Sequence, residues 1–234
     1  MTDLKEKRIV LIQGSPRPRE KTTSSLLLQR LERRIAEGNI SVSTFSARQC
    51  VSKNDSNDAF KAMNEADILV FAFPLYIFCL PAVLMRFLQD YTDFREHSVT
   101  AAHSPKVYAF VNSGFLEPEI NEEAVRVIRS FCQHTGASFR FGVLIGGGAM
   151  LFRSDGEPMI KKAVEKIDRA FDTLVDDVKK GGQEALENVS VHTGMNRRFF
   201  FFMAHRGWFA SGKKHGLKRK DLYRRPYLNN RKTG

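Results

Sequence analysis

The sequence is poor in the residues that build covalent or metal frameworks. Its three cysteines, Cys50, Cys79 and Cys132, lie far apart, with no C-x-x-C pair. No disulfide framework is expected, and the setting read from this is a reducing, cytoplasmic one. The six histidines include no H-E-x-x-H or Cys/His ligand spacing, so no metal site is predicted. A G-x-G-x-x-G is missing, which excludes the dinucleotide fingerprint. So is G-x-x-x-x-G-K-[ST], which argues against a P-loop nucleotidase, and so is the G-x-S-x-G elbow of a serine hydrolase. Long apolar runs are also scarce. Residues 9–12 are too short for a signal-peptide core. The longest uncharged run, residues 68–85, reaches the lower edge of a membrane span, but Pro74 and Pro81 interrupt it. It reads as a buried strand, a turn and a helix.

Acidic residues are nearly missing from one end. The last 40 residues hold twelve Lys and Arg against one acid, Asp221, while residues 1–194 hold 25 of each sign. The net charge of +11 therefore belongs wholly to the tail. The tail also holds Phe199, Phe200, Phe201 and Phe202 in succession, and the single Trp208. Residues 1–182 are read as one domain and 183–234 as a basic, aromatic helical extension. On a helix, four consecutive side chains point nearly all the way round. Three placements suit them. The first is a wedge against a partner subunit in a homodimer. The second is a peripheral membrane interface. The third, ranked last, is a nucleic acid.

What remains is ordinary globular composition, 42% apolar and 27% charged. Strand signals at 8–13, 40–45, 68–73, 107–111 and 139–145 alternate with helix signals. The helices are read at 26–35, at 59–66 with Asp58 as N-cap, at 81–94 with Pro81 in the first turn, at 121–135 closed by Gly136, and at 158–178. The pattern predicts a parallel α/β sheet with helices on both faces. Such sheets bind ligands at the carboxyl ends of their strands. Three loops lie there. Residues 14–25 carry five hydroxyls and three cations at a helix start, which suits a phosphate or an ordinary polar N-capping loop. Residues 74–81 are apolar and aromatic, and suit a flat ring or a core-covering turn. Residues 112–118 are small and polar around Gly114, which permits close approach. Together the three loops suit a phosphorylated planar cofactor, flavin mononucleotide (FMN) better than ATP or NAD.

The run G-S-P-R with T-T-x-x-L, then F-P-L-Y-x-x-x-L-P with M-R-F-L-Q-D-Y, resembles the NAD(P)H-dependent FMN reductases of flavodoxin-like fold. N-S-G-F-x-E and the triglycine turn resemble a bacterial branch of NAD(P)H-dependent oxidoreductases, as does the tail pattern H-R-G-W with D-L-Y-R-R-P-Y. The resemblance implies a doubly wound five-stranded sheet of order 2-1-3-4-5 and tightly bound FMN. It implies NADH or NADPH as co-substrate, and a quinone, flavin, nitro or azo acceptor. Ser15, Arg17, Thr22 and Thr23 would hold the phosphate. Pro74, Leu75, Tyr76, Ile77 and Phe78 would line the isoalloxazine, with backbone N–H groups of 75–78 toward its negative charge. Asn112, Ser113, Gly114 and Phe115 would close the far side. No catalytic side chain is named, since hydride transfer needs none. A flavodoxin-like electron carrier that does not oxidise NAD(P)H is the alternative.

Overall fold

The computed structural model describes residues 7–17, 21–36, 41–98, 104–148, 150–151, 158–182 and 184–225. Pro18, Arg19 and Glu20 of the first loop lie outside the described residues. The chain divides into two compact units, Met1–Gly194 and Met195–Gly234.

The first unit is built on six parallel strands: β1 Ile9–Gln13, β2 Val42–Ser46, β3 Ile68–Pro74, β4 Lys106–Asn112, β5 Ser138–Ile145 and β6 Val189–Val191, in the order β2-β1-β3-β4-β5-β6. The fold is flavodoxin-like. The helices are α1 Thr23–Ala36, α2 Ala47–Lys53, α3 Asn57–Glu65, α4 Ala82–Glu96, α5 Glu122–Thr135 and α6 Pro158–Lys179. β3 is apolar at every position because both its faces are covered. Leu69, Phe71 and Phe73 meet α3, α4 and α5 through Phe60, Phe87 and Phe131. Ile68, Val70 and Ala72 face the opposite layer, where α1 and α6 contribute Leu27, Leu31, Ile167 and Phe171. β2 stands at the edge and is half-buried to exposed. Residues 68–85 are thus β3, a turn and the first part of α4, and among the described residues no helix is long and apolar enough to cross a membrane.

The structure departs from the sequence reading in four places. Residues 189–191 join the sheet as β6, although the sequence places them in the extension. α2 was not foreseen; at seven residues it shows too little periodicity to be seen. Ser56, not Asp58, is the N-cap of α3, and Asp58 falls in its first turn. Pro81 is the N-cap of α4, one position before the first helical residue, with ψ 140°. That extended angle lets the chain turn out of the 76–79 segment before the helix begins.

At the amino end of β4, a buried polar network joins sheet to helix. The Tyr108 hydroxyl donates to Asp177 Oδ2 at 2.7 Å, and Arg140 donates a fork to both Asp177 oxygens at 2.8 and 2.9 Å. Burial pushes the Asp177 carboxyl up, but the Arg140 fork and the Tyr108 hydroxyl hold it below its ordinary value overall. Burial, then the bond to Asp177, pushes the Tyr108 phenol up, so it stays a neutral donor.

Candidate functional site

β1 and β3 are neighbours, and their connections leave to opposite faces of the sheet: β1 leads to α1 and β3 to α4. The carboxyl ends of the two strands therefore frame the crevice in which such folds hold ligands. Gly14 follows β1 with its N–H on Ala72 O at 2.9 Å. A Cβ at Gly14 would lie 2.6 Å from Leu84 and 2.8 Å from Phe73, so only glycine lets α4 close against the strand end.

The phosphate loop divides by role. Ser15 is buried, and its Oγ accepts from Arg17 N at 3.4 Å. Thr22 caps α1: its carbonyl accepts from Leu26 N, its Oγ1 accepts from Ser25 N at 3.1 Å, and Ser25 Oγ accepts from Thr22 N at 2.8 Å. Gln13 Nε2 donates to the same Thr22 oxygen at 3.2 Å. The Thr22 hydroxyl is thus committed to the helix start, a reciprocal form of the capping box. The Thr23 hydroxyl donates to Gly148 O at 3.2 Å. Left for an anion, among the described residues, are the N–H groups of Thr23 and Ser24 at the positive end of α1, the exposed Arg17 guanidinium and the exposed Lys21 ammonium. A cavity of about 260 Å³ opens beside Arg17, between α1 and the end of β2, with Gln13, Ser25, Gln29, Arg48 and Gln49 on its walls.

After β3, Leu75 N is held by Asn112 O at 2.8 Å. Tyr76 and Cys79 then exchange both backbone hydrogen bonds, at 2.9 and 3.0 Å, around a two-residue turn. Ile77 and Phe78 occupy its centre at φ 50° and 59°. Two positive angles in succession define a turn normally made by Asn-Gly. A β-branched and an aromatic residue there carry backbone strain. The turn carries Ile77 93% and Phe78 57% exposed, and Phe78 stacks on Phe115 of the next loop with ring centroids 6.3 Å apart. Tyr76 is also exposed, while Pro74 and Leu75 are half-buried. Of the four N–H groups expected to face a ring, those of Leu75 and Tyr76 are taken by the fold, which leaves Ile77 and Phe78.

After β4, the residues serve the frame more than the opening. Asn112 is buried, and its amide donates to Ser24 Oγ at 3.2 Å and Phe73 O at 3.0 Å, tying three elements together. Ser113 is buried, with its hydroxyl donating to Phe115 O. Gly114 is exposed, and a Cβ there would meet nothing within 4 Å, so the fold itself makes no demand for glycine at that position. That demand sits in the triglycine turn after β5. A Cβ at Gly146 would lie 2.1 Å from Leu116 O, and one at Gly148 would lie 2.8 Å from Asn112 Cβ. Ser24 and Gln13, absent from the residues singled out in the sequence, complete the frame. Their signal was position alone: the last residue of β1 and the first turn of α1.

The residues present suit a phosphate bonded to a flat apolar group. Free N–H groups and one guanidinium gather after β1, and three exposed aromatic faces gather after β3 and β4.

Residues 7–92 match the Flavodoxin_2 family, described as having a flavodoxin-like fold. No curated protein matches the chain. Among solved structures, the chain resembles an azoreductase from Bacillus anthracis str. Sterne, 19% identical, TM-score 0.52, over 70% of this chain and 98% of that one. An NADH:FMN oxidoreductase solved in its apo form is 16% identical, TM-score 0.54, over 71% and 87%. An NAD(P)H:quinone oxidoreductase from Methanothermobacter marburgensis is 16% identical, TM-score 0.52, over 71% and 95%. These likenesses bear out the flavodoxin-like resemblance drawn from the sequence.

Proposed function

We propose that this chain is an FMN-dependent NAD(P)H oxidoreductase that reduces a small acceptor such as a quinone, flavin, nitro or azo compound. The observation that carries the reading is the convergence of a positively polarised helix start and an exposed aromatic face on one strand crevice, β1 against β3. Arg17 and the N–H groups of Thr23 and Ser24 would hold the phosphate. Tyr76, Phe78 and Phe115 would line the ring, and the Ile77 and Phe78 N–H groups would face its polar edge. Bound there, the flavin supplies the hydride-accepting chemistry. Ser15, Thr22 and Asn112 would hold the loops in place. The activities for which the structurally similar proteins are named support this class of reaction. The neutral charge of residues 1–194 favours it over an acidic electron carrier. A cytoplasmic setting and a homodimer belong to the same reading.

The test is the visible spectrum of the purified protein, with FMN added if it is colourless, followed by anaerobic mixing with NADH and NADPH. A flavin spectrum that bleaches supports the reading. A protein that refuses FMN ends it. The stacked Phe78 and Phe115 favour one alternative, a carrier whose ring a nicotinamide does not reach, and bound FMN that neither nucleotide bleaches would establish it.

A further inference from the structure

The C-terminal unit presents an unusual surface. Its helix, α7 Arg197–Lys214, is capped by Asn196, whose side chain accepts from Arg198 N and Phe199 N. Phe199, Phe201, Phe202 and Met203 follow, 50%, 48%, 55% and 49% exposed. At about 100° per residue they leave the helix in different directions, so no single apolar face exists. Farther along, the helix has its own partner. Trp208 and Phe209 pack on Tyr223, Gly212 makes room for Leu222, and Arg219 lies 4.8 Å over the Phe209 ring. Trp208 and Tyr223 nonetheless stay 47% and 58% exposed, so the exposed apolar surface runs from the start of the helix to this pair. Arginines flank it, with Arg197 5.7 Å over Phe201 and Arg206 5.8 Å over Phe202. In the sequence, the last 40 residues hold twelve Lys and Arg against one acid.

We infer that this segment docks on an anionic lipid surface, with residues 199–203 in the headgroup layer and the arginines and lysines on lipid phosphates. Charge selects the class of occupant. A second copy of the tail would bring eleven more positive charges of its own, and the body, with 25 charges of each sign, offers no compensating excess. Shape selects within the anionic class. A protein face covers one side of a helix, and a strand of bases can stack along only one row of rings. A headgroup layer surrounds what enters it. It offers hydrocarbon below, and phosphate at the level where guanidinium groups stand. The contact is peripheral, since among the described residues no helix is long and apolar enough to span.

The single Trp208 makes the test direct. The full chain is mixed with vesicles of phosphatidylcholine alone, and with vesicles in which a third of the lipid is phosphatidylglycerol. Co-sedimentation and Trp208 emission are read on both. Binding to the anionic vesicles with a blue shift, and none to the neutral ones, is the expected result. Phe201→Ser with Phe202→Ser should weaken binding by on the order of tenfold or more, since each side chain is already exposed and its removal chiefly forfeits apolar transfer. Arg197→Gln with Arg198→Gln should weaken it by roughly 25-fold, at roughly fivefold per charge lost near the surface. Near-UV circular dichroism of the Trp208–Tyr223 pair checks that both variants keep the folded tail. Three results would each overturn the inference: no binding to anionic vesicles, binding that is indifferent to both phenylalanines, or displacement from vesicles by a short duplex DNA at equal phosphate concentration. Light scattering adds a fourth, in which the Phe pair holds two chains together and its loss yields monomers. The outcome is independent of FMN content, so it stands apart from the proposed redox function.

Discussion

Arg17, like Lys21, is a cation of the first loop with no described structural duty: exposed, near the positive end of α1, and without a carboxylate partner among the described residues. Its neighbour Thr22 is fully engaged in the helix cap. The two residues look equivalent in the sequence, yet they should respond differently to substitution. Arg17→Ala should weaken FMN by roughly ten- to a hundredfold through loss of a charge-assisted contact, and leave riboflavin, which has no phosphate, unchanged. Thr22→Ala should instead lower stability by about 1 kcal/mol through the lost cap, with FMN and riboflavin affected alike. Fluorescence titration with both ligands, beside denaturant unfolding, distinguishes the cases. Equal loss of both ligands in the Arg17 variant would make Arg17 a structural residue. The sequence shows the residue types in this loop but not which hydroxyl the helix start takes for itself.

At the scale of elements, the aromatic turn is the sharpest departure from local preference. Ile77 and Phe78 at φ 50° and 59° occupy a turn that favours Asn-Gly. Replacing the pair, Ile77→Asn with Phe78→Gly, should raise stability by about 1–2 kcal/mol by relieving that strain. It should also reduce flavin affinity, since the ring stacked on Phe115 is removed. A double variant no more stable than the parent would mean that the side chains hold the turn by contacts which repay its strain. The long, strongly patterned elements were legible in the sequence: β3 as a continuous apolar run, α5 closed by Gly136 at φ 66°, and a parallel sheet whose order the family resemblance supplied. The turn was not legible, because propensity argues against it and only the exchange between Tyr76 and Cys79 defines it. α2 and β6 were too short for periodicity to register.

The network under β4 makes a separate prediction with a definite sign. Asp177 titrates below its ordinary value in the folded state. Its contribution is therefore complete above the usual carboxylate range and is lost as pH falls through the depressed folded value. Asp177→Asn should cost about 3 kcal/mol at neutral pH, because it strands Arg140 with a side chain only 12% exposed. Below about pH 4 the gap between parent and variant should narrow, as the carboxyl of the parent protonates. Melting curves at the two pH values measure both. A gap constant with pH would assign the loss to packing instead of charge.

At the scale of the whole molecule, the question is where the sheet ends and the basic tail begins. Charge balance alone draws the line near residue 194, while helix and glycine signals draw it near 182. The sheet supports the former. Val191 is fully buried and accepts from Gly146 N at 3.0 Å, Asn188 Oδ1 accepts from Gly142 N at 2.7 Å, and Val189 and Val191 pair with Val143 and Ile145. A chain ending at residue 182 would leave the β5 edge bare, with the Gly142 and Gly146 N–H groups unpaired besides the lost ladder to β6. That loss should amount to about 3–5 kcal/mol, from one buried valine and two orphaned donors. A chain ending at residue 194 keeps all of these contacts and sheds the entire excess of positive charge. Residues 1–194 should therefore melt in one cooperative transition and bind FMN as the full chain does, whereas residues 1–182 should melt well below it or aggregate through the open strand edge. If the two truncations melt together, β6 is an ornament on a sheet that β5 already closes. If neither folds, the basic unit supports the body as well as carrying its charge.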